Sequence, residues 1–211
     1  MDGLLLDTER LCLKAFMATG QELGLDQTID LHGTFLSCIG HRADKSDAII
    51  AAALGDALPV KTFTTAWDEL LVEIFGMGIP VKPFAKELLE GLAAAEIPVA
   101  VATSTRTSRA LEHLEDVQLL PLIQAVVGGE QVTHPKPAPE IYHKAASMLG
   151  MKSEWCVAFE DSDTGTTAAV RSGARTVQVP DLKQPSDATI ALEHIIAPDL
   201  IAGARLAGLP V

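Results

Sequence analysis

From Pro83 to Val179 the sequence alternates short apolar runs with stretches of helical spacing, and no other feature limits the fold so sharply. Residues 97–102, 125–127, 155–159 and 176–179 are apolar runs of strand length. Residues 84–96, 108–115, 137–149 and 164–172 repeat apolar side chains at helical spacing. The third stretch begins with Pro137 in its first turn, where a missing N–H is harmless, and the fourth closes at Gly173. Strands separated by helices pair in parallel, because each helix carries the chain back along the sheet. The expectation is an α/β fold, a parallel sheet with helices on both faces.

Residues 9–76 have a different texture, helical only. Leu11, Ala15 and Ala18 recur at helical spacing as far as Gly24, and residues 43–54 repeat the pattern and end at Gly55. Residues 62–75 place Trp67, Leu70, Leu71 and Ile74 on one face before Gly76-Met77-Gly78-Ile79-Pro80 interrupts the chain.

Composition removes several function classes. Of 211 residues, 48% are apolar and 21% charged, enough to bury a sizeable core. A net charge of -12, with no run of Lys or Arg, repels the nucleic-acid backbone. It also disfavours anionic ligands at long range, so any phosphate site must rely on local cations. No apolar stretch approaches the ~18 residues of a membrane span. Cys12, Cys38 and Cys156 have neither disulfide-framework nor zinc-ligand spacing and read as reduced thiols of a cytoplasmic protein. No exposed apolar stripe demands a partner, so a monomer is expected.

In parallel α/β sheets, ligands bind beyond the carboxyl ends of the strands. Three polar groups fall there: Thr103-Ser104-Thr105, His134-Pro135-Lys136-Pro137 and Glu160-Asp161-Ser162-Asp163. Hydroxyls and a lysine can hold phosphate oxygens, while hard carboxylates suit Mg²⁺ with several waters retained. Asp161 or Asp163 could instead cap the following helix. Glu160 gains nothing from that role, so the pair is assigned to metal and Asp163 to the cap. Lys136, among three prolines, sits on a stiffened loop that can aim it.

The chain opens Met1-Asp2-Gly3-Leu4-Leu5-Leu6-Asp7-Thr8-Glu9. Together with Thr103 after a strand, Lys136-Pro137-Ala138-Pro139-Glu140, and Glu160-Asp161-Ser162, this resembles the four motifs of the haloacid-dehalogenase-like (HAD-like) phosphatases, in the β-phosphoglucomutase-like and sugar-phosphatase subgroup. Those motifs are D-x-D-G leading to D-T/S-E, a strand-end Thr or Ser, K-P-x-P-D, and an acidic pair. The resemblance implies a Rossmann-like core from residues 1–8 and 77–211 with an inserted all-helical cap at 9–76. It implies hydrolysis of small phosphate monoesters, sugar phosphates or similar metabolites, through a phosphoaspartate. Asp2 would be acid and base and Lys136 the second catalytic residue, with Thr8, Thr103 and Ser104 facing the substrate. Mg²⁺ would be held by Asp161, Glu160 and the main-chain carbonyl of Asp2. His41-Arg42, after Gly40, lies where such caps read the substrate, so Arg42 is a candidate; a solvated surface pair explains it equally. Asp7 and Thr8 suit both a hinge and a helix N-terminus.

The attacking Asp of the family stands two residues before Asp2, ahead of the first residue of this sequence. Asp2 cannot replace it, because the acid–base position would then fall on Leu4. In the family the first strand lies mid-sheet, between the runs at 97–102 and 155–159. Without it, buried edge groups cost ~1–3 kcal/mol each, against the ~5–15 kcal/mol that holds a domain together. The expectation is that the natural chain begins upstream and that Met1 is internal. Two alternatives stand beside the phosphatase. A phosphosugar mutase would carry a histidine four residues after the hinge Thr, where this chain has Cys12. A binding protein without turnover would follow if the chain truly starts at Met1.

Overall fold

The computed structural model describes residues 1–211. Four helices come first: α1 (Thr8–Glu22), α2 (Leu31–Cys38), α3 (Ala43–Leu54) and α4 (Val60–Gly76). Then follow α5 (Ala85–Ala94), β1 (Ala100–Ala102), α6 (Thr107–Asp116), β2 (Ala125–Val127), α7 (Glu140–Met148), β3 (Val157–Glu160), α8 (Asp163–Arg171), β4 (Arg175–Gln178), α9 (Asp187–Ile190), β5 (Ile195–Ile196) and α10 (Leu200–Leu206). All strand pairs are parallel: β1 with β2, β3 with β4, and β4 with β5. Alternate residues of β1 face opposite ways. Val101 joins Leu89, Leu114 and Ala204 of α5, α6 and α10, whereas Ala100 and Ala102 lie against Ile141 and Ala145 of α7. Helices therefore cover both faces, as the alternation requires.

The sheet comes in two pieces, β1-β2 and β3-β4-β5. Between β1 and β3 lies an apolar cavity of about 290 Å³, lined by 26 residues of which 24 are hydrophobic, among them Leu5, Val101, Ala158 and Phe159. Met1 also lines it, and the Met1 carbonyl accepts from the N–H groups of Leu4, Leu5 and Leu6 in a tight turn. That turn is stitched to the segment after α4: Asp7 N–H donates to Pro80 O (2.8 Å) and Lys82 N–H to Leu5 O (2.9 Å).

Helices α1–α4 pack around their own core. Phe16, almost fully buried, sits against Phe35 (centroids 5.6 Å), Phe63 (4.7 Å) and Trp67 (5.1 Å). Edge-to-face geometry of this kind adds to area burial. Helix α2 was not expected. Its periodicity is broken by Gly33 and Thr34, and its start is fixed by Asp30, whose carboxylate accepts from Gly33 N–H (2.9 Å).

Element ends differ from expectation where proline or a side chain takes over a backbone partner. The run at 97–102 becomes a strand only at Ala100, since Pro98 has no N–H and Val99 N–H donates to Gln124 Oε1 (2.6 Å). The helix expected from Pro137 begins at Glu140, after Pro139. Ser162, not Asp163, caps α8: its hydroxyl accepts from Gly165 N–H (3.2 Å), and the Asp163 carboxylate instead accepts from Ser186 N–H (3.3 Å). Asp163 lies inside the first turn, where its charge suits the helix dipole.

Candidate active site

The carboxyl ends of β1 and β3 meet the N-terminal turn. Three hydroxyls converge on Asp2: Thr8 Oγ1 donates to Oδ1 (2.9 Å), while Thr103 Oγ1 (3.1 Å) and Thr105 Oγ1 (2.9 Å) donate to Oδ2. Burial alone would raise the Asp2 pKa, but the amino-terminal charge and these three donors outweigh it and hold the group below the usual carboxylate range. A carboxylate with both oxygens occupied by donors is fixed in rotamer.

Lys136 reaches the same place from the loop before α7. Its ammonium donates to the carbonyl of Ala102 (3.1 Å) at the end of β1 and to Glu160 Oε1 (2.5 Å) at the end of β3. Both partners of the ion pair are buried. The Tyr142 hydroxyl, from α7, donates to the same Glu160 oxygen, and Lys136 lies 5.3 Å from the centre of the Tyr142 ring. Burial would raise the Glu160 pKa; Lys136 overrides it and keeps the group ionised, below its usual range. An ammonium has three donors, so after Ala102 and Glu160 one remains for a further acceptor. The N–H of Ser104, one residue after Thr103, makes no backbone hydrogen bond.

Beside these groups the charge balance is unfavourable. Asp161 is pushed up to about 7 by burial and then by Glu160. Glu9, on α1, is pushed up to about 9 by burial and then by Asp161, Asp181 and Asp2. Glu9 Oε2 is buried with no hydrogen-bond partner. A side-chain carbon on Gly3 (φ 72) would lie 2.5 Å from Asp161 Oδ2 and 3.1 Å from the Glu9 carboxyl carbon, so only glycine lets the turn pass between these two acids. The Asp2 carbonyl accepts no hydrogen bond. Crowded carboxyls, a free carbonyl and an orphaned buried oxygen form a hard-oxygen donor set that fits a small divalent cation. No group of three His, Cys, Asp or Glu side chains forms a complete ligand cage. A cation here would take one or two of these carboxylates and complete its shell with water and phosphate oxygens.

Of the residues singled out in the sequence, Asp2, Thr8, Thr103, Lys136, Glu160 and Asp161 are gathered here. Two are engaged elsewhere. The Ser104 hydroxyl faces the carbonyl of Gly40 (3.5 Å), and Arg42, ahead of α3, forms a two-point pair with Asp44 (3.1 and 2.9 Å). Thr105, Tyr142 and Glu9 were missed. Thr105 stands in the strand-end triplet and Glu9 in the opening Asp7-Thr8-Glu9 motif, whereas Tyr142 carries no signal until α7 is docked.

A parallel sheet that presents hydroxyls, a lysine and an acidic pair at its carboxyl edge, beneath a helical lobe, is the arrangement of a Rossmann-like hydrolase of the phosphate-handling kind. The chain belongs to the haloacid dehalogenase-like hydrolase family, whose model matches residues 1–179. It is 32% identical over 177 residues to the phosphorylated carbohydrates phosphatase of Thermotoga maritima, covering 84% of this chain and 81% of that one. Its structure superposes on a HAD family hydrolase from Deinococcus radiodurans R1 with bound phosphate and sodium (TM-score 0.78, 27% identity, 99% of this chain and 93% of the other). It also superposes on CbbY from Rhodobacter sphaeroides in complex with phosphate (TM-score 0.74, 26% identity, 100% and 96%). No helix is long and apolar enough to cross a membrane.

Proposed function

We propose that this protein is a Mg²⁺-dependent phosphatase of small phosphate monoesters, sugar phosphates or similar metabolites, working through a phosphoaspartate, with α1–α4 as the cap over its site. The observation that carries this reading is the convergence of Thr8, Thr103 and Thr105 on Asp2 beside the Lys136–Glu160 pair. The relatives named above act on or bind phosphate compounds, which supports the same substrate class.

Each residue has a task its geometry suits. Lys136 and the N–H of Ser104 hold phosphate oxygens, the lysine kept charged and aimed by Glu160. Asp2 exchanges protons with the leaving alcohol and then with water, its carboxylate oriented by the three threonines. Asp161 and the Asp2 carbonyl would hold Mg²⁺, with Glu160 beside them; the cation supplies charge neutralisation on the transferring group. The attacking carboxylate of the family stands two residues ahead of Asp2, before the first residue of this sequence. Cys12 disfavours the mutase: burial, then Asp2 and Glu9, push its thiol up to about 12, so it is no proton relay near neutral pH.

The test is a chain extended at its N-terminus by an apolar run ending in Asp and one further residue ahead of Asp2. Magnesium-dependent phosphate release from a sugar phosphate, lost on Asp2→Asn, is the expected result. Translation in frame of the DNA ahead of the Met1 codon tests whether an Asp stands two positions before Asp2. Release unaffected by Asp2→Asn would sink the assigned acid–base role. Phosphate binding without release would favour the binding-protein reading.

A further inference from the structure

The two acids at the end of β3 part company. Successive side chains of a strand point to opposite faces, and Glu160, the last residue of β3, and Asp161, the next, do so here. Asp161 Oδ2 points to the N-terminal turn, where a side-chain carbon on Gly3 would lie 2.5 Å from it. Glu160 shares the face of Ala158, which packs with Ala169 of α8 and Tyr142 of α7. Its Oε1 accepts from the Lys136 ammonium and from the Tyr142 hydroxyl, and its Oε2 from the Ser162 hydroxyl (3.5 Å). The carboxyl group rests directly on Gly165 in the first turn of α8. A side-chain carbon there would overlap both of its oxygens, so only glycine leaves the seat open.

Tyr142 holds both members of the buried pair. Its hydroxyl donates to the acid, and its ring lies 5.3 Å from the Lys136 ammonium, which an aromatic face attracts. The rest of the side chain packs among apolar neighbours. Glu160 therefore has a partner on each oxygen and a wall behind it. To join a cation it would have to give up Lys136 or Tyr142, and leaving a buried donor unsatisfied is costly. Asp161 is under no such constraint, for it forms no ion pair.

We propose that Tyr142 is a positioning residue: it commits Glu160 to Lys136 and leaves Asp161 as the one acid of the pair that meets the cation. Resting on the phosphatase reading above, this division departs from the expectation that Glu160 and Asp161 hold the metal together. One hydroxyl on α7 separates a lysine partner from a cation ligand in adjacent residues.

Tyr142 is the one tyrosine of the chain, so ultraviolet resonance Raman reads its phenol without overlap from another. The expected spectrum is that of a hydroxyl donating to a carboxylate, unchanged when Mg²⁺ is added to the whole chain. Calorimetric titration with Mg²⁺ is the second readout. Tyr142→Phe keeps the ring and removes the hydroxyl. It should tighten Mg²⁺ binding about tenfold as the freed carboxylate turns to the cation, the scale of a hydrogen bond to a charged group. Loosened packing would weaken binding instead, so a purely structural role does not produce this gain. In a background of Lys136→Met with Glu160→Gln, the same change should leave Mg²⁺ affinity within about twofold, because no carboxylate remains to be released. A phenol signal that shifts with Mg²⁺, an unchanged or weaker affinity in Tyr142→Phe, or a gain that survives in the double-variant background overturns the proposal and leaves the cation site standing. Failure of Mg²⁺ to bind the unmodified chain overturns the cation reading, and this inference with it.

Discussion

At the residue scale the site is governed by which charges are matched. Lys136 and Glu160 are both buried and satisfy each other, with Tyr142 and Ala102 taking up further hydrogen bonds. Removing one partner leaves a buried charge alone, which costs ~3–5 kcal/mol. Lys136→Met should destabilise the fold by that amount in urea unfolding, and Lys136→Met combined with Glu160→Gln should recover much of it. Glu9 and Asp161 show the opposite condition. Their pKa values rise from 4.5 to about 9 and from 3.8 to about 7, so the folded chain binds these protons more tightly than the unfolded chain does. Stability from these two groups is therefore present at low pH and lost as pH climbs through that window. In chelator, the melting temperature should fall between pH 5 and pH 9, and Mg²⁺ should raise it more at pH 8 than at pH 5.5. A Mg²⁺ effect equal at both pH values would refute the assignment of Asp161 to a cation.

At the element scale the helical lobe is held by one aromatic cluster. Phe16→Ala removes the ring that contacts Phe35, Phe63 and Trp67, and a buried Phe lost in this way costs ~3–5 kcal/mol. Near-ultraviolet dichroism and fluorescence of Trp67 should report loosened packing, while the Trp155 signal, from the surface of the core, changes little. The cap of α8 is a smaller matter: Ser162→Ala should cost about 1 kcal/mol in denaturant unfolding. Elements of strong periodicity were legible. Helix α3 begins at Ala43 and ends at Leu54 as the pattern and Gly55 require. Strand β5, of two residues, and α10, of seven, were not, because both are too short to show a clear period. Glu160 and Asp161 were legible as a pair, but their unequal environments were not; Lys136 and Tyr142 reach only the first.

At the scale of the whole molecule the split sheet is the dominant property. Smaller apolar cavities, ~150 Å³, stay dry and take up apolar guests. The cavity of about 290 Å³ between β1 and β3, where the family's first strand is expected, should therefore bind an apolar dye such as anilinonaphthalene sulfonate in the 211-residue chain, with the rise in fluorescence absent once an N-terminal extension supplies an apolar strand. The net charge of -12 acts at the same scale. Capture of an anionic substrate depends on a few local cations working against the field of the rest.

What the sequence determined by itself was the class of architecture and the chemistry at the strand ends. Apolar runs alternating with helical stretches leave a parallel sheet as the one arrangement that buries both, and polar residues at strand ends must then lie on a single edge. Tertiary structure alone decided the partners. That Thr105 shares Asp2, that Tyr142 completes the Lys136–Glu160 pair and that Arg42 is taken by Asp44 all depend on how helices dock. Docking is set by shape and burial summed over many side chains, and no single position in the chain records it.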